Sequence, residues 1–274
     1  MDSIVLQKLG LEVGPTPEMK PWKDFLTRKE NVTQEVNIGL VGKYVELQDA
    51  YKSIDESLQV AAVYNNRKLN LRMIQSEKIN GSNVAEILAD LDGILIAPGF
   101  GMRGIDGKIA AIKYIREHDI PCLGIGLGMQ CMIIEFARNV LGWPEANSTE
   151  FDAKTPNNVI DLMEDYKNVN GSMRLGAFDC VLAQDSKIYQ AYGKKQIQER
   201  HRHRYEFNTR FKPQFEASGM KCTGENPETQ LVEAIEIPSL KWFIGVIYHP
   251  EYNSTVISPN PLFISLVKAA IEAK

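Results

Sequence analysis

The sequence is poor in the features that mark specialised classes of protein. No apolar run approaches 18 residues, the length a membrane-spanning helix needs. Lys and Arg number 31 against 35 Asp and Glu, a net charge of −4, so neither a general nucleic-acid role nor a membrane-surface role gains support. The four cysteines, Cys122, Cys131, Cys180 and Cys222, are widely spaced with no C-x-x-C pair. That argues against a disulfide framework or a zinc site and suits a reducing cytoplasm. The N-terminal MDSIVLQKLGLE carries an acid where a signal peptide has a basic n-region. Walker A sequences, internal repeats and low-complexity tracts are all missing. What remains is a chain of 274 residues, 44% hydrophobic and 24% charged, enough for a full globular core.

Residues 1–34 are short on periodic pattern and rich in turn formers: Gly10, Gly14, Pro15, Pro17 and Pro21. They read as a linker with one short helix over Trp22 to Arg28. Beyond it, strands are expected over Val36–Gly42, Leu69–Ile74, Gly93–Ala97 and Cys122–Ile125. Helices are expected over Asp49–Asn65, Val84–Leu91 and Gly107–Glu117. This alternation implies an α/β fold with an open, mostly parallel sheet flanked by helices, its sites at the carboxyl ends of strands. After Trp143 turn residues cluster at Asn147–Asn158 and Asp165–Gly171. Strand-like stretches follow at Met173–Leu182, Gln196–Asn208, Leu231–Ile237 and Trp242–Ile247, then a helix over Pro261–Ala273. This half reads as a mixed, partly antiparallel extension of the same domain.

The most informative stretch is Cys122-Leu-Gly-Ile-Gly-Leu-Gly-Met-Gln130. A short apolar strand runs into Gly124-Ile125-Gly126-Leu127-Gly128, and apolar positions at helical spacing follow: Met129, Met132, Ile133 and Phe136. A strand, a very tight turn and a helix make a nucleophile elbow, G-x-Nuc-x-G. The helix N-terminus beneath such a corner carries free N–H groups and partial positive charge, suited to a developing oxyanion. The central residue here is Gly126, which has nothing to attack with. Cys122 and Cys131 flank the turn and read as buried small hydrophobes.

Three further constellations stand out. Ile96-Ala-Pro-Gly-Phe-Gly-Met-Arg-Gly104 contains G-x-G-x-x-G between a strand and a helix, as dinucleotide sites do. The helix is expected to begin only near Gly107, so a loop beside the elbow offering a second oxyanion N–H is the better reading. His249-Pro-Glu251 follows a strand end and can supply a base and the carboxylate that orients it. Glu199-Arg-His-Arg-His-Arg-Tyr-Glu206, read as one strand, puts Arg200, Arg202 and Arg204 on one face and His201 and His203 on the other. The arginine face suits a carboxylate or phosphate. No further ligand cluster accompanies the H-x-H pair, so no metal is expected. Gly171-Ser-Met-Arg-Leu-Gly176 reads as a glycine-bracketed lid.

Taken together these stretches resemble the glutaminase domains of CTP synthases, which are class I, triad-type glutamine amidotransferases with a flavodoxin-like core. Val41-Gly-Lys-Tyr-Val-Glu-Leu, Asp49-Ala-Tyr-Lys-Ser53, Asn147-Ser-Thr-Glu-Phe151 and Met173-Arg-Leu-Gly176 add to the likeness. The resemblance covers nearly all of residues 36–273. It implies that a cysteine at the position of Gly126 attacks the side-chain amide of L-glutamine, releasing ammonia through a glutamyl thioester. His249 would be the base and acid and Glu251 its orienter. Gly99 and Leu127 would donate the oxyanion N–H groups. Gly99, Leu127, Gly128, Met129, Gln130, Glu150 and Arg204 would bind the glutamine.

The same resemblance implies a domain over 35–274 and residues 1–34 as the linker from a synthase domain that this chain lacks. That domain would use ATP and Mg to convert UTP to CTP, with GTP activating beside a lid of Met173, Arg174, Leu175 and Gly176. The parent would be a cytoplasmic homotetramer without nucleic-acid or membrane partners, and this domain itself would hold no cofactor. The chain departs from the family twice. Ala-Pro-Gly-Phe-Gly replaces Pro-Gly-Gly-Phe-Gly, and Gly126 stands where the nucleophilic cysteine is expected. A modified cysteine rendered as glycine, an inactivating change and a natural loss of activity each fit that second departure. The last leaves a catalytically dead, glutamine-binding regulatory domain.

Overall fold

The structure, a computed structural model, describes residues 2–15, 18–47, 49–162 and 173–273. Five strands form the parallel half of a large sheet: β1 (Glu35–Gly42), β2 (Lys68–Gln75), β3 (Gly93–Ile96), β4 (Cys122–Ile125) and, far along the chain, β12 (Phe243–Val246). Their order is β2-β1-β3-β4-β12. β3, β4 and β12 are buried along their whole length, as continuous apolar runs in a doubly covered parallel sheet should be.

Alternate side chains of the same strands feed two cores. Ile94 and Ile96 pack with Ile112 of α5 (Ile105–Glu117) and with Met132, Ile133 and Phe136 of α6 (Leu127–Asn139). Leu95, Leu123 and Ile125 pack on the opposite face, against Ile54 and Leu58 of α3 (Lys52–Tyr64) and Phe263 and Leu266 of α9 (Pro261–Glu272). Each such side chain taken fully from water contributes about 1.5–3 kcal/mol.

The sheet continues antiparallel from β12 through β11 (Val232–Glu236), β10 (Lys221–Glu225), β7 (Arg174–Leu182) and β8 (Gln196–His203). A second sheet joins β5 (Ala146–Ser148), β6 (Asn157–Leu162) and β9 (Tyr205–Phe207). The expected single strand over Gln196–Asn208 is therefore two. The chain turns a corner at Arg204, which carries it from the large sheet to the small one and leaves that arginine exposed.

Three other expectations change. α5 starts at Ile105, directly after Gly104 at φ +75°, and not near Gly107. Gly107 lies inside the helix because it packs on Ser76, whose carbonyl oxygen would be 1.7 Å from a Cβ there. Within residues 1–34 the structure forms two helices, α1 (Asp2–Lys8) and α2 (Lys20–Asn31), neither with a buried residue. α2 leans on α3 through Phe25 and Arg28, both against the Tyr64 ring. The expected lid falls partly outside the described residues, at Gly171 and Ser172. Met173 precedes β7, while Arg174, Leu175 and Gly176 begin it. Arg174 is buried, bonded to Glu206 at 3.2 Å and Glu233 at 2.7 Å, whereas Leu175 projects outward. In the first half α4 (Val84–Ile87) is shorter than the helix expected over Val84–Leu91, and in the second half α7 (Lys187–Tyr192) and α8 (Lys212–Ala217), too short to show periodicity in sequence, are additional.

Candidate active site

The carboxyl ends of β1, β3, β4 and β12 lie on one edge of the parallel sheet, and each delivers a part of one cleft. The elbow leaves β4 at Ile125 and enters α6 at Leu127, so Gly126 alone makes the corner. Its φ of +54° and ψ of −111° lie where residues with a side chain are strained. The corner is pinned on both sides. Gly126 N–H donates to the Val246 carbonyl at 2.8 Å, and the Gly126 carbonyl accepts from Gln130 N–H at 3.1 Å.

Gly128 serves contact, not torsion. A Cβ there would lie 2.2 Å from the Ile96 carbonyl oxygen, and one at Gly124 would meet the Gly128 and Met129 backbones at 2.9 and 3.0 Å. α6 thus sits directly on the strand ends. Gly128→Ala is expected to lower stability by roughly 1–3 kcal/mol, seen as a lower denaturant midpoint at unchanged slope. An unchanged midpoint would show that α6 can lift off β3 without penalty.

A Cβ built at Gly126 would stand 3.7 Å from His249 Nε2, 3.5 Å from Pro98 Cβ and 3.9 Å from the Ile247 carbonyl oxygen. All are ordinary contact distances. A side chain at the corner therefore has room and faces the imidazole. His249 Nδ1 lies 2.7 Å from Glu251 Oε1. The carboxylate assigns the proton to Nδ1, which leaves the Nε2 lone pair towards the corner. The pair is held firmly: His249 and Glu251 are 7% and 6% exposed, His249 N–H donates to Arg200 O at 2.8 Å, and Tyr252 stacks on the imidazole at 5.0 Å.

None of the four thiols present could replace a nucleophile at the corner. Burial pushes the Cys122 and Cys180 thiols far up, and raises Cys131 to about 11 and Cys222 to about 12. A thiol held neutral in this way is a poor nucleophile.

The loop after β3 forms the opposite wall. Gly99 and Leu127 are brought together: a Cβ at Gly99 would be 3.5 Å from Leu127 Cδ2 and 3.1 Å from Lys43 Cε. Leu127 opens α6, so its N–H has no partner within the helix. Pro98, the loop residue nearest the corner, has no N–H to give. Gln130 is buried, and its Nε2 donates to the Tyr205 carbonyl at 2.9 Å, tying α6 to β9. Glu150 Oε1 accepts from Gly101 N–H at 2.7 Å. Burial raises its carboxyl pKa, while that N–H, Lys43 and Arg204 pull it down.

The cleft is lined by Gly99, Gly126, Leu127, Gln130, Glu150, Arg204 and His249 among others. Gly128 and Met129 do not line it. Gly128 abuts β3 and Met129 is buried on the sheet. Lys43, Pro98, Phe100 and Tyr205 carry no role in the sequence reading, yet all sit at or against the cleft, and Arg202 of the expected arginine face lines it too. The one available signal was Lys43, directly after the first strand. His201 and His203 face Glu233 at 3.2 Å and Glu206 at 2.6 Å. No metal-binding group of three such side chains forms among the described residues.

Residues 46–269 match the family profile for glutamine amidotransferase class-I. A CTP synthase of Porphyromonas gingivalis is 59% identical over 277 residues, covering 100% of this chain and 51% of the relative. One from Bacteroides fragilis is 60% identical over 275 residues, covering 99% and 52%. The chain thus spans about half the length of the curated relatives it matches. Among solved structures, the Trypanosoma brucei CTPS glutaminase domain with bound acivicin is similar at 36% identity and a TM-score of 0.83, covering 86% of this chain and 94% of that one. The profile spans most of the chain and the trypanosomal domain is matched almost end to end, so this chain belongs to the class I glutamine amidotransferase family, as a glutaminase domain of the CTP synthase type.

Proposed function

We propose that the cleft binds L-glutamine with its side-chain amide at the corner of residue 126 and its amino-acid end between Glu150 and Arg204. The observation that carries this reading is the facing of the Gly126 corner and His249 Nε2, 3.7 Å from the Cβ position, with Glu251 directly behind. A thiol at that corner would attack the amide carbon. His249 would take the thiol proton and pass it to the departing ammonia, while Glu251 holds the imidazole. The N–H groups of Leu127 and Gly99 would receive the oxyanion, and water would then release glutamate from the thioester. With glycine at the corner nothing can attack, so the chain as it stands binds glutamine and does not turn it over. The missing nucleophile also supports a second reading, a catalytically dead, glutamine-binding regulatory domain.

In a protein of the relatives' full length, this domain (residues 35–274) would pass ammonia across the 1–34 linker to a synthase domain. That domain would phosphorylate UTP with ATP and Mg²⁺ and aminate it to CTP in the cytoplasm, within a homotetramer. GTP would activate beside Met173–Gly176, where Leu175 projects outward and Arg174 is fixed. Among the described residues no helix is long and apolar enough to cross a membrane.

Calorimetry with L-glutamine tests the binding step on the unaltered protein. Saturable binding is expected, weakened by Arg204→Met by about 1.5–3 kcal/mol, roughly 10- to 100-fold in Kd. No binding, or binding indifferent to Arg204, would overturn the placement.

A further inference from the structure

Lys108 sits on α5 with no exposure to solvent, and among the described residues the one hydrogen bond of its side chain runs from Nζ to the Ala97 carbonyl oxygen. A buried ammonium without a carboxylate is an expensive residue to keep. Burial above all, with a smaller contribution from the neighbouring Lys43, lowers its pKa to about 8. The partner of its ammonium is the residue directly after β3, where the chain enters the oxyanion loop.

Lys43 acts on the other side of that loop. It is 4% exposed, and its Nζ donates to the Phe100 carbonyl and, at 3.2 Å, to the Gly101 carbonyl. Glu150 holds the Gly101 N–H. Between the pinned carbonyls of Ala97 and Phe100 lie only Pro98 and Gly99. The Pro98 ring fixes its own φ near −65°. One soft torsion, ψ of Pro98, therefore separates a carbonyl held by Lys108 from the N–H of Gly99. Because Pro98 itself has no N–H, the direction of the Gly99 N–H decides whether the loop can serve an oxyanion at all.

We propose that Lys108 is a positioning residue for the oxyanion site: by holding the Ala97 carbonyl it aims the Gly99 N–H at the elbow, in concert with Lys43. The inference rests on the amidotransferase reading of the corner. It assigns Lys108 no contact with substrate. The two ammonium groups also place positive potential behind the loop, where negative charge would develop.

Lys108→Met keeps the length of the apolar stem and removes the ammonium. In the Gly126→Cys background, kcat for glutamine hydrolysis is expected to fall at least tenfold, with KM within twofold of its parent. Stability should hold, because a buried cation leaves together with its hydrogen bond. Relative to Lys108→Met, the parent should gain stability as pH rises from about 8 towards 10.5, since the folded chain sheds this proton first. In the unaltered Gly126 protein, Lys108→Met should shift the Gly99 amide resonance and speed its exchange with solvent. An unchanged kcat, or a loss matched by loss of folded protein, would overturn the proposal. So would an unmoved Gly99 amide. If Gly126→Cys by itself hydrolyses no glutamine, the functional reading falls, and the amide measurement still decides the role of Lys108.

Discussion

Gly126→Cys is expected to raise glutamine turnover roughly 10⁶-fold over the unaltered protein, the factor lost when a triad nucleophile is removed from an otherwise intact site. The proposed base and its orienting carboxylate already face the corner. The imidazole stands 3.7 Å from the Cβ position, its far nitrogen is held by Glu251, and α6 presents its N-terminus beneath the corner. The gain should carry a penalty. At φ +54° and ψ −111° a side chain is strained, so Gly126→Cys should lower stability by roughly 1–3 kcal/mol. Gly126→Ala should share that loss of stability and show no activity. Glutamate release measured on the three proteins, beside their denaturant midpoints, checks both parts. A Gly126→Cys rate within tenfold of the unaltered protein would mean that the imidazole cannot reach the thiol.

The second large effect concerns His249. In the Gly126→Cys background, His249→Asn is expected to cancel nearly the whole gain, because a nucleophile and its base act as one unit. Glu251→Gln should cost less, roughly 10⁴-fold, by fixing the wrong tautomer while leaving the geometry alone. In the unaltered protein neither change should alter glutamine affinity by more than a few fold, since the ligand's charged ends are held elsewhere. Single-turnover rates and calorimetry on the same variants separate the two roles. A His249→Asn variant keeping a tenth or more of the rate would assign the base to another group.

How much of this was legible beforehand follows from where periodicity is strong. The parallel half was readable because β3, β4 and β12 are short apolar runs set off by turn residues. The elbow was readable because only glycine can stand at 124 and 128. In the second half the signal fails for physical reasons. β5, β6 and β9 are short and belong to a separate small sheet, so their register depends on partners distant in sequence. Alternation through Glu199–Glu206 placed the arginines and histidines on opposite faces, as β8 does, but could not show the corner at Arg204. Arg174 looked like a lid residue because its glycine neighbours suggest freedom; two buried carboxylates hold it instead. Lys43 offered only its place directly after the first strand, and Lys108 offered nothing, since a lysine in sequence carries no sign of being buried.

The most direct test is an acid-quenched intact mass of the Gly126→Cys protein during turnover of L-glutamine, followed by peptide mapping. The account predicts a transient glutamyl group on the introduced thiol, within the peptide covering residues 123–130, and its loss when His249 is also replaced. A protein that turns over glutamine with no acyl group on that peptide, or with one on Cys122 or Cys131, would contradict it.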